Sequence, residues 1–214
     1  MDNQDRILCR GRLIKKLTPL YNDYLYIPGD PIKDMHKPLH KVVDNWFVRN
    51  SYKLSRAFAI VFGIIWGIDG YLKFLPGLAG SLGSMINSAA IGQPSWLQPW
   101  FSFWSSQVAS NAQLWVYLVG VLELCLAFSL ITGFLRKTAY TGGFLLSFFI
   151  WAVPEGFGGA IGPGSTDIGT GIVYAMVFLF LLMLNATHGT NPYTLDAKIE
   201  KKIKWWKALA ELRS

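Results

Sequence analysis

The chain has 214 residues, 52% of them hydrophobic and only 15% charged, with nine Trp, nine Tyr and fourteen Phe. A soluble domain carries roughly 25% charged residues, and here the apolar residues gather in blocks of about 20, the length of a bilayer-spanning helix, which excludes an ordinary soluble globule. The net charge of +7 therefore reports membrane orientation rather than nucleic-acid binding, and two distant cysteines, Cys9 and Cys125, with no CxxC pair argue against dithiol chemistry and cysteine-ligated metal.

Residues 1–55 are expected to form a polar extension. Their start, "MDNQDRILCRGRLIKK", is not followed by the apolar core of a cleavable signal peptide. The stretch "YIPGDPIKDMHKPLH" is rich in Pro and turn residues and is expected to be irregular. Pro38 between His36 and His40 speaks against a two-His metal site there, and no metal centre is expected. The first predicted span is 57–76, "AFAIVFGIIWGIDGYLKFLP", in which Gly63 and Gly67 form a GxxxG suited to close helix packing. Residues 77–110 carry no charged side chain and contain "PSWLQPWFSFW", which predicts a re-entrant or interfacial hairpin on the outer face. The second span is placed at about 112–133 and the third at about 138–153, with the basic loop "FLRK" between them. A glycine-rich loop, "PEGFGGAIGPGSTDIG" (154–169), leads into the fourth span at about 168–186. In the tail, 187–214, Leu195, Ile199, Ile203, Trp206 and Ala210 recur at helical spacing with lysines between them. That pattern predicts a basic amphipathic helix for an anionic membrane surface or a partner subunit.

Lys and Arg number eleven up to Arg56, two in the 133–137 loop and six in the tail, and Lys73 is the only other. The positive-inside rule then puts both termini and the middle loop in the cytoplasm, which requires an even number of spans. The expected fold is all-α: an integral membrane four-helix bundle over 56–186, both termini cytoplasmic, with an outer interfacial hairpin and an amphipathic C-terminal helix.

Asp69, Lys73 and Glu123 fall inside predicted spans, where a charge costs about 2.5–3.5 kcal/mol at the helix centre. Asp69 lies 13 residues beyond Arg56 and Glu123 lies 13 before Arg136. At 1.5 Å per residue both carboxyls sit roughly 20 Å from the same boundary. Lys73 follows Asp69 at i+4, on the same face. One reading is structural: a self-neutralising pair, with Glu123 protonated or hydrogen-bonded. The other is a polar pocket near the outer face, with Asp69, Lys73 and Glu123 as its catalytic groups. There burial opposes carboxyl ionisation and Lys73 favours it, so that a proton can move near neutral pH. The glycine loop supplies the substrate-binding candidates Glu155, Gly158, Gly159, Ser165, Thr166 and Asp167. Its N–H groups beside a helix N-terminus would form an anion-attracting nest, with Ser165 or Thr166 as helix cap. Asp167 reads equally as a capping residue.

Three pieces resemble the DoxX/DoxD family of small four-helix membrane proteins: "RAFAIVFGIIWGIDGYLKF", "GVLELCLAFSLITGFLRKTA" with Gly120, Glu123, Gly133 and Arg136, and "EGFGGAIGPGSTDIGTGIVY". The last looks like the DoxD branch, and the likeness covers about residues 54–186. It implies a role near respiratory electron transfer, as in thiosulfate:quinone oxidoreductase, where thiosulfate reduces a membrane quinone and tetrathionate forms. Arg56, Lys73, Glu123, Glu155 and Asp167 match the family's polar positions. The implied partners are the lipid bilayer with other membrane subunits or further copies of the chain, in the plasma membrane of a prokaryote. Quinone is the implied substrate, its slot lined by Trp66, Trp104, Trp115 and Tyr117; no flavin, haem or metal motif is visible. The alternative is a non-catalytic accessory subunit of a larger membrane oxidase or oxygenase, since the polar extension and basic tail lie outside the family pattern.

Overall fold

The computed structural model describes residues 31–159 and 167–212, with 31–45 as backbone alone. Every regular element among them is helical. The chain divides into one unit up to Arg49 and another from Asn50 onward.

Helix α1 runs Pro31–Leu72. Pro31 opens it at the position where a missing N–H costs nothing. The segment expected to be irregular is thus helical over 31–40: interior Pro38 removes one ladder bond, while the turns on either side keep theirs. Arg56 does not start the span but lies well inside this helix. A helical hairpin follows, α2 (Leu78–Ala89) and α3 (Gln98–Ser110), joined through a 3₁₀ turn at Ser95–Leu97. The uncharged stretch 77–110 is therefore a hairpin, as its composition predicted.

Helix α4 spans Ala112–Thr132. Its ends have local causes. The Asn111 side chain accepts the Leu114 N–H at 3.1 Å, an N-cap. Gly133 adopts φ 69°, and its N–H and that of Phe134 both reach Ser129 O, a left-handed C-cap. Helix α5 runs Arg136–Ala152 and helix α6 Thr170–His188.

Among the described residues, three helices are long and apolar enough to cross a membrane: Trp46–Leu72 within α1, α4 and α6. The remaining expected span, α5, is shorter at 17 residues. Leu118, Val121 and Phe128 on α4, and Val173, Met176 and Phe180 on α6, stay exposed, as they do on helices that face lipid. One core cluster draws Phe62 and Trp66 from α1, Ala127 and Leu130 from α4, Tyr140 from α5, and Phe178 and Leu181 from α6. Gly63 of the GxxxG faces Ala127, Leu130 and Ile131, so the motif packs α1 on α4. A second cluster, with Ile86, Phe101, Val108 and Val153, holds the hairpin to the other end of these helices.

The tail is not one amphipathic helix. It breaks into α7 (Leu195–Glu200), a 3₁₀ turn at Lys204–Trp206 and α8 (Lys207–Ala210). The cause is Arg136. Its guanidinium pairs with Asp196 at 3.2 Å, with Glu200 at 3.9 Å and with Glu211, so carboxylates from both ends of the tail converge on one point and the segment between them must turn.

Candidate functional site

A cavity of about 390 Å³ lies between the upper parts of α1, α4, α5 and α6 and the hairpin. Helical spacing puts its polar groups there: Trp66, Asp69 and Lys73 recur at i, i+3 and i+7 along α1 and the turn after it, as Val116, Val119 and Glu123 do on α4. Close backbone contact brings the two sets together. A β-carbon at Gly70 would lie 3.1 Å from the Glu123 Cβ, and one at Gly120 would lie 2.9 Å from the Lys73 Cβ. Glycines at this crossing are what let Glu123 reach Lys73.

Lys73 Nζ stands 3.4 Å from Asp69 Oδ1 and 3.4 Å from Glu123 Oε2. The three form a graded series: Glu123 is fully buried, Lys73 is 20% exposed and Asp69 is 42% exposed. They connect the closed interior to the cavity's mouth, where the lining residues Met85 and Thr170 are exposed and the Asp69 side chain is partly so.

The rest of the wall is mostly apolar, with Leu82, Ile86, Val108 and Val153 among its residues. Several of the lining residues also carry deeply buried polar atoms. Trp66 Nε1, Trp104 Nε1, Ser147 Oγ and Glu123 Oε1 are buried with no hydrogen bond among the described residues, while Glu123 Oε2 has the Lys73 ammonium as its one partner. Each such group costs about 1–3 kcal/mol when left unsatisfied. The lining thus combines an apolar wall with two indole donors, a hydroxyl and a carboxyl.

The sequence-predicted residues divide. Asp69, Lys73, Glu123 and Glu155 line the one cavity. Glu155 Oε2 accepts the Gly171 N–H at 2.8 Å, so the carboxylate at the start of α6 comes from the far end of the connecting loop, just after α5, rather than from the residues that adjoin the helix. Gly158, Gly159 and Asp167 do not line the cavity. The N–H groups of Gly158 and Gly159 donate within the turn, to Glu155 O and Gly156 O, which leaves no free nest at that point. Gly158 has φ +84° and abuts the Ile168 backbone, a position only glycine fills without strain. Asp167 Oδ1 accepts the Gly169 N–H at 2.8 Å, a local turn contact. Ser165 and Thr166 lie outside the described residues. Of the expected aromatic slot, Trp66, Trp104 and Trp115 line the cavity, whereas Tyr117 is exposed and stacks on Phe74. Ser147 and Tyr174 were not anticipated. The available signal for Ser147 was a single hydroxyl in the otherwise apolar run "FLLSFFIWA".

Among the described residues no group of three or more His, Cys, Asp or Glu is placed to hold a metal ion. No protein-family model, curated protein or solved structure matches the chain.

Proposed function

We propose that the chain is a membrane subunit of a quinone-linked respiratory oxidoreductase of the DoxX/DoxD type, with thiosulfate as electron donor. In this reading α1, α4, α5 and α6 form a four-helix bundle in a prokaryotic plasma membrane. Both termini face the cytoplasm, as the distribution of Lys and Arg favours, and the cavity opens toward the outer side. The observation that carries the proposal is the cavity itself, with the Lys73–Glu123 ion pair on its lining and the unpartnered Trp66 Nε1, Trp104 Nε1 and Ser147 Oγ buried in its lining residues. The volume suits a ring-sized ligand.

The balanced reaction joins two thiosulfates to one tetrathionate with loss of two electrons, while quinone takes up those two electrons and two protons to become quinol. The chain's residues serve the protons. Indole and hydroxyl donors orient the ring oxygens. Glu123 delivers a proton to a reduced oxygen, and the Lys73–Asp69 pair, each step 3.4 Å, resupplies it from the mouth. Lys73 also draws the thiosulfate dianion toward that mouth. The electrons arrive from thiosulfate directly or through a partner subunit's cofactor.

The test is quinone reduction with thiosulfate by membranes that contain the protein. Glu123→Gln should lower the rate about 100-fold or more and Lys73→Met should also suppress it, with the protein still assembled. Equal rates with and without the protein would overturn the reading. A second reading, a non-catalytic accessory subunit of a larger oxidase or oxygenase, draws on the unit up to Arg49, which is separate from the unit that holds the cavity. It is selected if the variants lose associated subunits and no activity depends on the cavity.

A further inference from the structure

The tail sorts its charges by side. Asp196, Glu200 and Glu211 turn inward to Arg136. Lys201, Lys202, Lys204 and Lys207 are exposed, and none of the four pairs with a carboxylate among the described residues. The outer face is therefore basic without internal neutralisation. Apolar side chains stand among the lysines: Trp205 is 65% exposed, and Ile203, Leu209 and Leu212 are exposed as well. Neighbouring Trp206 is tied down through its Nε1, 2.9 Å from Asp196 Oδ1, so of the two adjacent indoles one is anchored and one is presented.

The height of this face is set by hydrogen bonds. Asn185, in the last turn of α6, donates to Ala210 O at 3.0 Å and accepts from the Leu212 N–H at 2.8 Å. Thr138, in the first turn of α5, donates to Leu209 O at 3.1 Å. The patch is thus pinned to the polar end of an apolar helix long enough to cross a membrane, and such an end is where lipid headgroups meet water. Lysines there attract phosphate, and an indole favours the same layer.

We propose that this face binds the headgroups of anionic phospholipids, the four lysines pairing with phosphate while Trp205 enters the interface. The site is separate from the cavity and does not depend on the reading of the cavity's chemistry. The full chain, purified in detergent, is titrated with phosphatidylglycerol or with phosphatidylcholine, and its melting temperature is followed. Phosphatidylglycerol should raise it by about 4 °C more than phosphatidylcholine does, which corresponds to roughly a tenfold gain in the folding equilibrium. The difference should vanish when Lys201, Lys202, Lys204 and Lys207 are all replaced by Gln and persist when all are replaced by Arg; an unchanged melt in phosphatidylcholine controls for folding. The smaller variant Lys201→Gln/Lys202→Gln should lose part of the difference. Equal shifts with both lipids, a preference that survives the Gln replacements, or the same shift from soluble glycerol phosphate would overturn the proposal. So would loss of an associated protein from the Gln variant with lipid preference intact, which would assign the face to an acidic partner.

Discussion

The Ser147 hydroxyl is fully buried and unpartnered among the described residues, so it weakens the unliganded protein by about 1–3 kcal/mol. Ser147→Ala removes that penalty without leaving a void. The unliganded variant should melt at the same temperature or higher; under the proposed function, quinone affinity, measured by titration, should fall about two- to tenfold. A packing residue would show the opposite pattern. Glu123 and Asp69 were legible in the sequence because a carboxylate in an apolar run is rare and costly, and counting from Arg56 and Arg136 put them at one level. Ser147 was not legible as a site residue, since hydroxyls are common in membrane helices and only the fold reveals which ones lack a partner.

At the scale of elements, the most informative contact is the one at the start of α5. Asp196 accepts the N–H groups of Leu135 at 2.8 Å and Arg136 at 3.0 Å, which satisfies two orphan donors of the helix and complements its positive end. Arg136 answers by pairing with Asp196 and Glu211. Arg136→Leu would leave two buried carboxylates without a counter-charge, a loss of about 3–5 kcal/mol. Hydrogen exchange should then quicken across 195–212 and the first turn of α5, with the cavity end unaffected. The apolar helices could be read from length and hydropathy, and the hairpin from its lack of charge. The breaks in the tail could not, because the residue that folds it back lies some 60 positions earlier. Periodicity along 195–210 reports which residues tend to share a face, and a distant guanidinium overrode it.

For the whole molecule, the Arg136 cluster makes stability depend on pH. Three carboxylates surround one guanidinium, and burial, aided by the neighbouring Glu200, pushes the Glu211 carboxyl from its ordinary 4.5 up to about 7 against the pull of Arg136. Between those values the folded chain holds the proton more tightly than the unfolded chain does. Stability therefore falls as pH rises through that window and is level above it. Glu211→Gln should match wild type near pH 4 and gain on it by roughly 1–3 kcal/mol by pH 8, as followed by thermal melts across the range. The two apolar clusters of the fold have a different bearing. The first core cluster contains no residue of the hairpin, and among the described residues the hairpin's side chains reach the end of α5 and the turn after it through Trp100 Nε1 to Ala152 O at 2.9 Å and Gln93 Nε2 to Gly156 O at 2.6 Å. Yet Leu82, Ile86, Trp104 and Val108 form one wall of the cavity. The hairpin is in effect a separate wall piece: substitutions at these four positions reshape the chamber, while the Asp69, Lys73 and Glu123 contacts on the facing helices involve none of its residues.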